Sequence, residues 1–313
     1  MRIVTFRPKG SRKSARLRLG VLTEQGVLDV RAAAQAGVLP AALVPALNAP
    51  LTPAAFYQRG VPALPALNRF VALALELGGP QNSRWLLPAD RVVLGACVPA
   101  PGKIICVGLN YRNHAKESNM AIPPAPVLFS KFNNAVAAPG EPVPLPAGVN
   151  QYDYEAELCV VIGRRARYVA EARALDYVLG YCNANDVSAR ELQMLTGQWL
   201  LGKTLDKFLP LGPYLLTVDE AGDPQNYPVR CWLNGELRQN SNTSDMIFSV
   251  AQLISFASRY MPLEPGDIIS TGTPEGVIFG RKEKVWMKPG DVMTVEIGPL
   301  GKLTNPLVAE TGS

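Results

Sequence analysis

The sequence holds a single histidine, His114, in 313 residues, so any imidazole chemistry falls on that one position. It has no run of about 20 apolar residues, which excludes a helical membrane span. Its start, MRIVTFRPKG, lacks the apolar core of a signal peptide. Export is therefore not expected, and a cytoplasmic location is. Cysteine is sparse: Cys97, Cys106, Cys159, Cys182 and Cys231 are odd in number, and no pair has metal-type spacing. Each sits in an apolar context, so they read as buried core thiols in a reducing compartment. There is no internal repeat and no low-complexity tract. No acid precedes Glu24, while Arg2, Arg7, Lys9, Arg12, Lys13, Arg16 and Arg18 all do. Such a run can mark a nucleic-acid patch. No aromatic residues interleave with it, however, and ARLRLGVL, TEQG and VLDV read as strand, turn and strand, so the charges fit the outward face of a hairpin. Nucleic-acid binding is not expected.

What is present is a globular composition, 48% hydrophobic and 18% charged, with 27 glycines and 28 prolines that imply many loops. The length suits one large domain or two smaller ones. Residues 1–97 read as a small α+β domain, in which VRAAAQAGVLPAAL and PALNRFVALALELGG have helical periodicity. VPAPGK (98–103) marks the boundary, and 98–313 form the larger domain. There KIICVGLNY and YVLGYCNAND are buried strands, VRCWLNGELRQ is a hairpin on Asn-Gly, and SDMIFSVAQLISFASRYM is an amphipathic helix. GDIISTGTP and GDVMTVEI are strands entered through Gly-Asp turns. Ser188 and Glu191 match a capping box, which predicts a helix starting at Ser188. Many strands and few helices give an α+β, mostly β, class.

QYDYEAELCVVIG places Asp153, Glu155 and Glu157 at alternate positions, so an extended chain presents three carboxylates on one face. Like charges so close repel, and something cationic must compensate: Arg or Lys partners, solvent, or a metal. Solvent fits poorly, because Leu158, Val160 and Ile162 on one face and Cys159 and Val161 on the other are apolar. Asp186 ends a second apolar strand nearby. All-oxygen donors imply Mg²⁺, Mn²⁺ or Ca²⁺ rather than Zn²⁺. His114 follows a buried strand, with Glu117 three residues on. In a helical turn the pair shares a face and forms a plausible general base; an idle surface turn is the alternative.

VGLNYRNHAKE, DYEAELCVVIG, NDVSARELQ, LLGKTLDKFLPLGP and STGTPEGV resemble, in order, the motifs of the fumarylacetoacetate hydrolase superfamily, over roughly residues 98–307. The resemblance implies that family's β-roll of mixed sheets with a small variable N-terminal domain, and commonly a homodimer. It implies a Mg²⁺ or Mn²⁺ site on Glu155, Glu157 and Asp186, with Asp153 a neighbour. It makes His114 and Glu117 an acid–base dyad on a segment that often serves as a lid, and Lys203 the stabiliser of an enolate or oxyanion. It assigns Arg190, Gln193, Thr273 and Arg112 to substrate binding. Val107 stands where the large hydrolases carry a fourth acidic ligand, which favours the smaller branch: acylpyruvases, oxaloacetate decarboxylases or tautomerases, and the isomerases and decarboxylases of homoprotocatechuate breakdown. Lys207 and Glu275 replace small residues and bear on the substrate. The activity implied is metal-dependent hydrolysis, decarboxylation or keto–enol isomerisation of 2-oxo or β-diketo acids through one enolate. A non-catalytic metal and 2-oxo-acid binding protein is the alternative, disfavoured because a binder does not need a proton shuttle.

Overall fold

The computed structural model describes residues 1–37, 39–40, 42–78 and 84–311. Val38, Ala41 and Gly79, which fall within the two stretches of helical periodicity, lie outside the described residues. Among the described residues the strands form three sheets: one of twelve strands, one of five and one of two. The chain is α+β with strands dominant, as its patterning predicts.

The large sheet is centred on Ala156–Ile162, which pairs antiparallel with Val178–Asn185 on one side and with Ile268–Ser270 on the other. Ile268–Ser270 pairs in parallel with Ile104–Gly108. Beyond Val178–Asn185 lies Leu209–Thr217, and the N-terminal strand Arg2–Pro8 pairs with it, Arg2 opposite Leu216. The predicted hairpin is Arg18–Thr23 with Gly26–Asp29, and it extends the same sheet. The Asn-Gly hairpin joins Pro228–Leu233 to Glu236–Asn242, with Asn234 and Gly235 both at positive φ, as a two-residue turn of this type requires. It belongs to the five-stranded sheet, with Val292–Ile297 and Lys302–Ala309.

Ala156–Ile162 is buried on both faces. Leu158, Val160 and Ile162 join a core shared with Leu253 and Ile254 of the helix Val250–Tyr260 and with Val295 and Ile297 of the smaller sheet. Cys159 and Val161 face a second core containing Phe56, Leu67 and Phe70 from the N-terminal helices. All five cysteines are buried and free.

Two local expectations need correction. The helix predicted from Ser188 is one turn, Arg190–Gln193, and Ser188–Ala189 is strand paired with Tyr152–Asp153. The capping box does not form: Ser188 Oγ donates to the Asp186 carbonyl, and Glu191 accepts from Asn150 N–H. Sheet pairing with Tyr152–Asp153 takes the backbone that a cap would have used. The real capping box lies at Ser249 and Gln252, where the predicted amphipathic helix begins, later than its sequence pattern. The carboxylate strand is likewise two strands, broken at Tyr154–Glu155.

Candidate active site

That break lets consecutive acids face different partners. Asp153 is fully buried and accepts from the N–H groups of Ile278 and Phe279 (2.8 and 2.9 Å) and twice from Arg190. Glu155 accepts from Arg190 and from Lys203, each at 2.7 Å. Glu157 accepts from Ser270 Oγ (2.5 Å) and Gly272 N–H (3.1 Å). Asp186 accepts from Lys203 (3.0 Å) and, on its other oxygen, from Lys131. One oxygen from each of Glu155, Glu157 and Asp186 lies within 4.8 Å of the others. Asp153 is not part of that cluster.

Burying an ion costs several kcal/mol unless a partner offsets it. Arg190, Lys131 and Lys203 are the buried cations here, against four buried carboxyl groups. Burial alone would raise the Glu155 carboxyl, but Lys203 and Arg190 overcome this and hold it down at about 2. Burial lowers the Lys203 ammonium, and Asp186 and Glu155 more than restore it. Lys131 goes the other way: burial, helped by the nearby Lys203, outweighs Asp186 and lowers it. Glu157 has neutral donors only. Burial, then Asp186 and Glu155, push its carboxyl well above the usual range. The cluster thus lacks one cationic partner, and the side that lacks it is all oxygen and within ligand reach. A hard divalent ion fits this donor set.

Lys203 closes the one-turn helix Leu200–Lys203, which stacks on Arg190–Gln193. Gly202 allows this, because a Cβ there would lie 2.3 Å from Gln193 N. Lys131 directly follows the strand Val127–Ser130 and also donates to the Val187 carbonyl (3.0 Å). The sequence reading did not single it out. Its only signal is a lysine closing an apolar strand, a pattern shared by many surface lysines.

His114 lies on the helix Arg112–Glu117, whose second N–H, that of Asn113, is capped from outside by Asp245 (3.0 Å). Arg112 Nη1 donates to the carbonyls of Asp245 and Met246. His114 Nδ1 and Glu117 Oε2 are 3.3 Å apart, and Glu117 also accepts from Gly276 N–H. Gly280 admits that carboxylate, since a Cβ would lie 2.5 Å from Glu117 Cδ. The helix therefore docks on the turn that carries Thr273. Thr273 Oγ1 accepts from Gln239 Nε2 (2.8 Å), while Gln239 Oε1 accepts from Ala156 N–H (3.0 Å). Gln239, another residue missed in the sequence, ties this turn to the carboxylate segment. The buried Tyr111 hydroxyl has no hydrogen-bond partner, and burial followed by the nearby Glu157 raises it well above its ordinary range.

Arg190 is 5% exposed and directs its donors at Asp153, Glu155 and Gln193. Lys207 pairs with Glu141 (3.2 Å) at the surface and touches none of the carboxylate cluster. Glu275 lies next to the Thr273 turn, 3.4 Å from Ser241 Oγ.

Residues 103–308 match the family model for the fumarylacetoacetate (FAA) hydrolase C-terminal region. The chain belongs to the fumarylacetoacetate hydrolase family. It is an enzyme of that family's smaller branch. It is 45% identical over 239 residues to the mitochondrial oxaloacetate tautomerase fahd2 of Xenopus laevis, covering 76% of this chain and 75% of that one. It is 39% identical over 316 residues to the fumarylacetoacetate hydrolase domain-containing protein 2 homolog of Dictyostelium discoideum, covering 97% and 96%. Among solved structures, a putative HpcE protein from Mycobacterium smegmatis superposes with TM-score 0.79 at 35% identity, covering 99% of this chain and all of that one. The family's fumarylacetoacetate hydrolase from Exiguobacterium antarcticum gives 0.76 at 34%, with the same coverage.

Proposed function

We propose that the protein is a divalent-metal-dependent keto–enol tautomerase of a short 2-oxo acid of the oxaloacetate type. The observation that carries this is Glu157, a buried carboxyl without a cationic partner, set within ligand reach of Glu155 and Asp186. The names of the relatives support the substrate class: oxaloacetate tautomerase for one group, and 2-hydroxyhepta-2,4-diene-1,7-dioate isomerase for a solved structure from Mycobacterium marinum at 39% identity.

Glu155, Glu157 and Asp186 would hold Mg²⁺ or Mn²⁺. The bound ion would supply Lewis-acid polarisation of the 2-oxo group, which lowers the cost of the enolate. Lys203 places an ammonium beside the same oxygens, where negative charge develops. Glu117 orients the imidazole through Nδ1 and leaves Nε2 for the substrate. His114 takes a proton from C3 as the ketone becomes the enolate, and the imidazolium so formed gives that proton to the oxygen; the reverse step carries it from oxygen back to C3. No bond between carbons breaks, so the dyad handles every proton transfer that tautomerisation requires. Decarboxylation proceeds through the same enolate and is the second reading.

Thr273, with nearby N–H groups, binds the substrate carboxylate, and Arg112, Arg190 and Gln193 line or support the pocket. Arg190 acts through Glu155. The exposed Met194, Leu195 and Leu201 support a homodimer interface. We also divide the chain at 97/98 into an N-terminal unit and a catalytic unit, supported by a family match that starts at residue 103. The two share one sheet through Arg2–Pro8.

The test is ultraviolet absorbance of freshly dissolved enol oxaloacetate, with Mg²⁺, with chelator, and with Glu155→Ala. The expected result is enzyme-dependent loss of the enol band, at least about a thousandfold slower in the variant. Rates equal to Mg²⁺ without enzyme would reject the reading.

A further inference from the structure

A cleft of about 1100 Å³ lies well away from the carboxylate cluster, where the N-terminal residues meet the linker 99–102 and the turn Pro265–Gly266. Leu17, Leu51, Ala54, Pro99 and Pro265 give it an apolar floor. Three arginines line it, against one acid. That acid, Asp29, is fully engaged: Oδ2 accepts from Arg18 (2.8 Å) and Oδ1 from Ala32 N–H (3.0 Å). Arg16 and Arg31 are exposed and, among the described residues, have no hydrogen-bond or ion-pair partner. An apolar floor with two uncommitted guanidinium groups matches an anion that carries an apolar body.

The position of the cleft connects it to the site. Gly102 and Gly266 line it, and from there two parallel neighbours begin, Ile104–Gly108 and Ile268–Ser270. Asp267 clamps their starts together by accepting from Lys103 N–H and Lys103 Nζ, both at 2.7 Å, and from Glu264 N–H at 2.8 Å. Their far ends, roughly 10 and 17 Å on at strand rise, deliver Ser270 and Gly272 to Glu157 and lead into the helix that bears His114. The Pro265–Gly266 turn leads directly into the strand whose Ser270 donates to Glu157.

We propose that this cleft is a second ligand site, for a small organic anion with an apolar body, coupled to the carboxylate cluster through these two strands. The probe is 8-anilinonaphthalene-1-sulfonate, titrated by fluorescence into the full chain, into Arg16→Glu/Arg31→Glu and into Ala54→Trp, which places an indole in the cleft. Saturable binding should weaken by about tenfold or more in both variants. Mn²⁺ affinity, read by paramagnetic resonance, should change about fivefold at saturating probe, with the reciprocal change in probe affinity. Probe binding that is the same in all three proteins overturns the site. Binding that weakens as the protein is concentrated assigns the cleft to a second copy of the chain and overturns the ligand. Probe binding that follows the variants while Mn²⁺ affinity stays constant overturns the coupling. Failure of Mn²⁺ to bind without probe would count against the proposed metal centre, which the probe titration does not depend on.

Discussion

Glu155 and Glu157 stand two residues apart, both buried, in opposite surroundings. Around Glu155 the chain supplies two cations, Arg190 and Lys203, and the carboxylate is held ionised. Around Glu157 it supplies a hydroxyl and one N–H, and the charged form is disfavoured. Yet both belong to the same candidate metal cluster. A protein that only needed a stable fold would not bury a carboxyl group in this way, because an apolar residue of similar volume costs less. The contrast underlies the proposed division of labour: the chain's own cations neutralise the Glu155 side, and the Glu157 side would take an ion.

The largest effect should come from removing the proton carrier and leaving both sides of the cluster intact. His114→Asn should lower tautomerase kcat by about a hundredfold to ten-thousandfold, with Mn²⁺ affinity unchanged by calorimetry. Loss of ion binding in that variant would mean that the dyad and cluster are one structural unit. Next, Lys203→Met strips a cation from the Glu155 side. Turnover should fall by roughly a hundredfold or more, while Mn²⁺ affinity holds or rises, because two ligands lose a competing ammonium. An affinity that falls with turnover would break the comparison.

Lys131→Met leaves Asp186 half paired in the interior. Unfolding in denaturant should show a loss of about 3–5 kcal/mol, recovered in part by Mg²⁺. The smallest effect is the most specific to Glu157. Its carboxyl is raised in the folded protein, so it favours folding fully below its unfolded pKa of about 4.3 and loses that contribution as pH rises through the folded value. Chelator-treated wild type should therefore lose up to about 1.4 kcal/mol per pH unit across that window from this residue. Glu157→Gln should be flat there and melt higher at neutral pH. A variant that melts lower would show that Glu157 is already compensated.

More of the candidate site than of the local structure that carries it was legible in the sequence. Glu155, Glu157, Asp186, Lys203 and the His114–Glu117 spacing are local strings, and the fold brings the three acids and Lys203 together and sets His114 3.3 Å from Glu117. Lys131, Gln239 and Asp245 were not legible, because each reaches the site across long sequence separations: Lys131 to Asp186, Gln239 to Thr273, Asp245 to Asn113. The Ser188 capping box failed for a related reason. Ser-x-x-Glu is a local signal, and pairing with Tyr152–Asp153 overrode it. The alternation of Asp153, Glu155 and Glu157 pointed to shared burial, but the break at Tyr154–Glu155 gives each acid its own partners, and no periodicity encodes a break.

The most direct measurement is the number of protons released on Mg²⁺ binding, from calorimetry at weakly acidic pH in two buffers of different ionisation enthalpy. A carboxyl whose charged form is disfavoured by burial and by Asp186 and Glu155 must give up any proton it holds in order to act as a ligand. The prediction is measurable proton release on ion binding by the wild type, which is lost in Glu157→Gln. Tight binding with no proton released by the wild type would mean that Glu157 was ionised and balanced all along, and would contradict it.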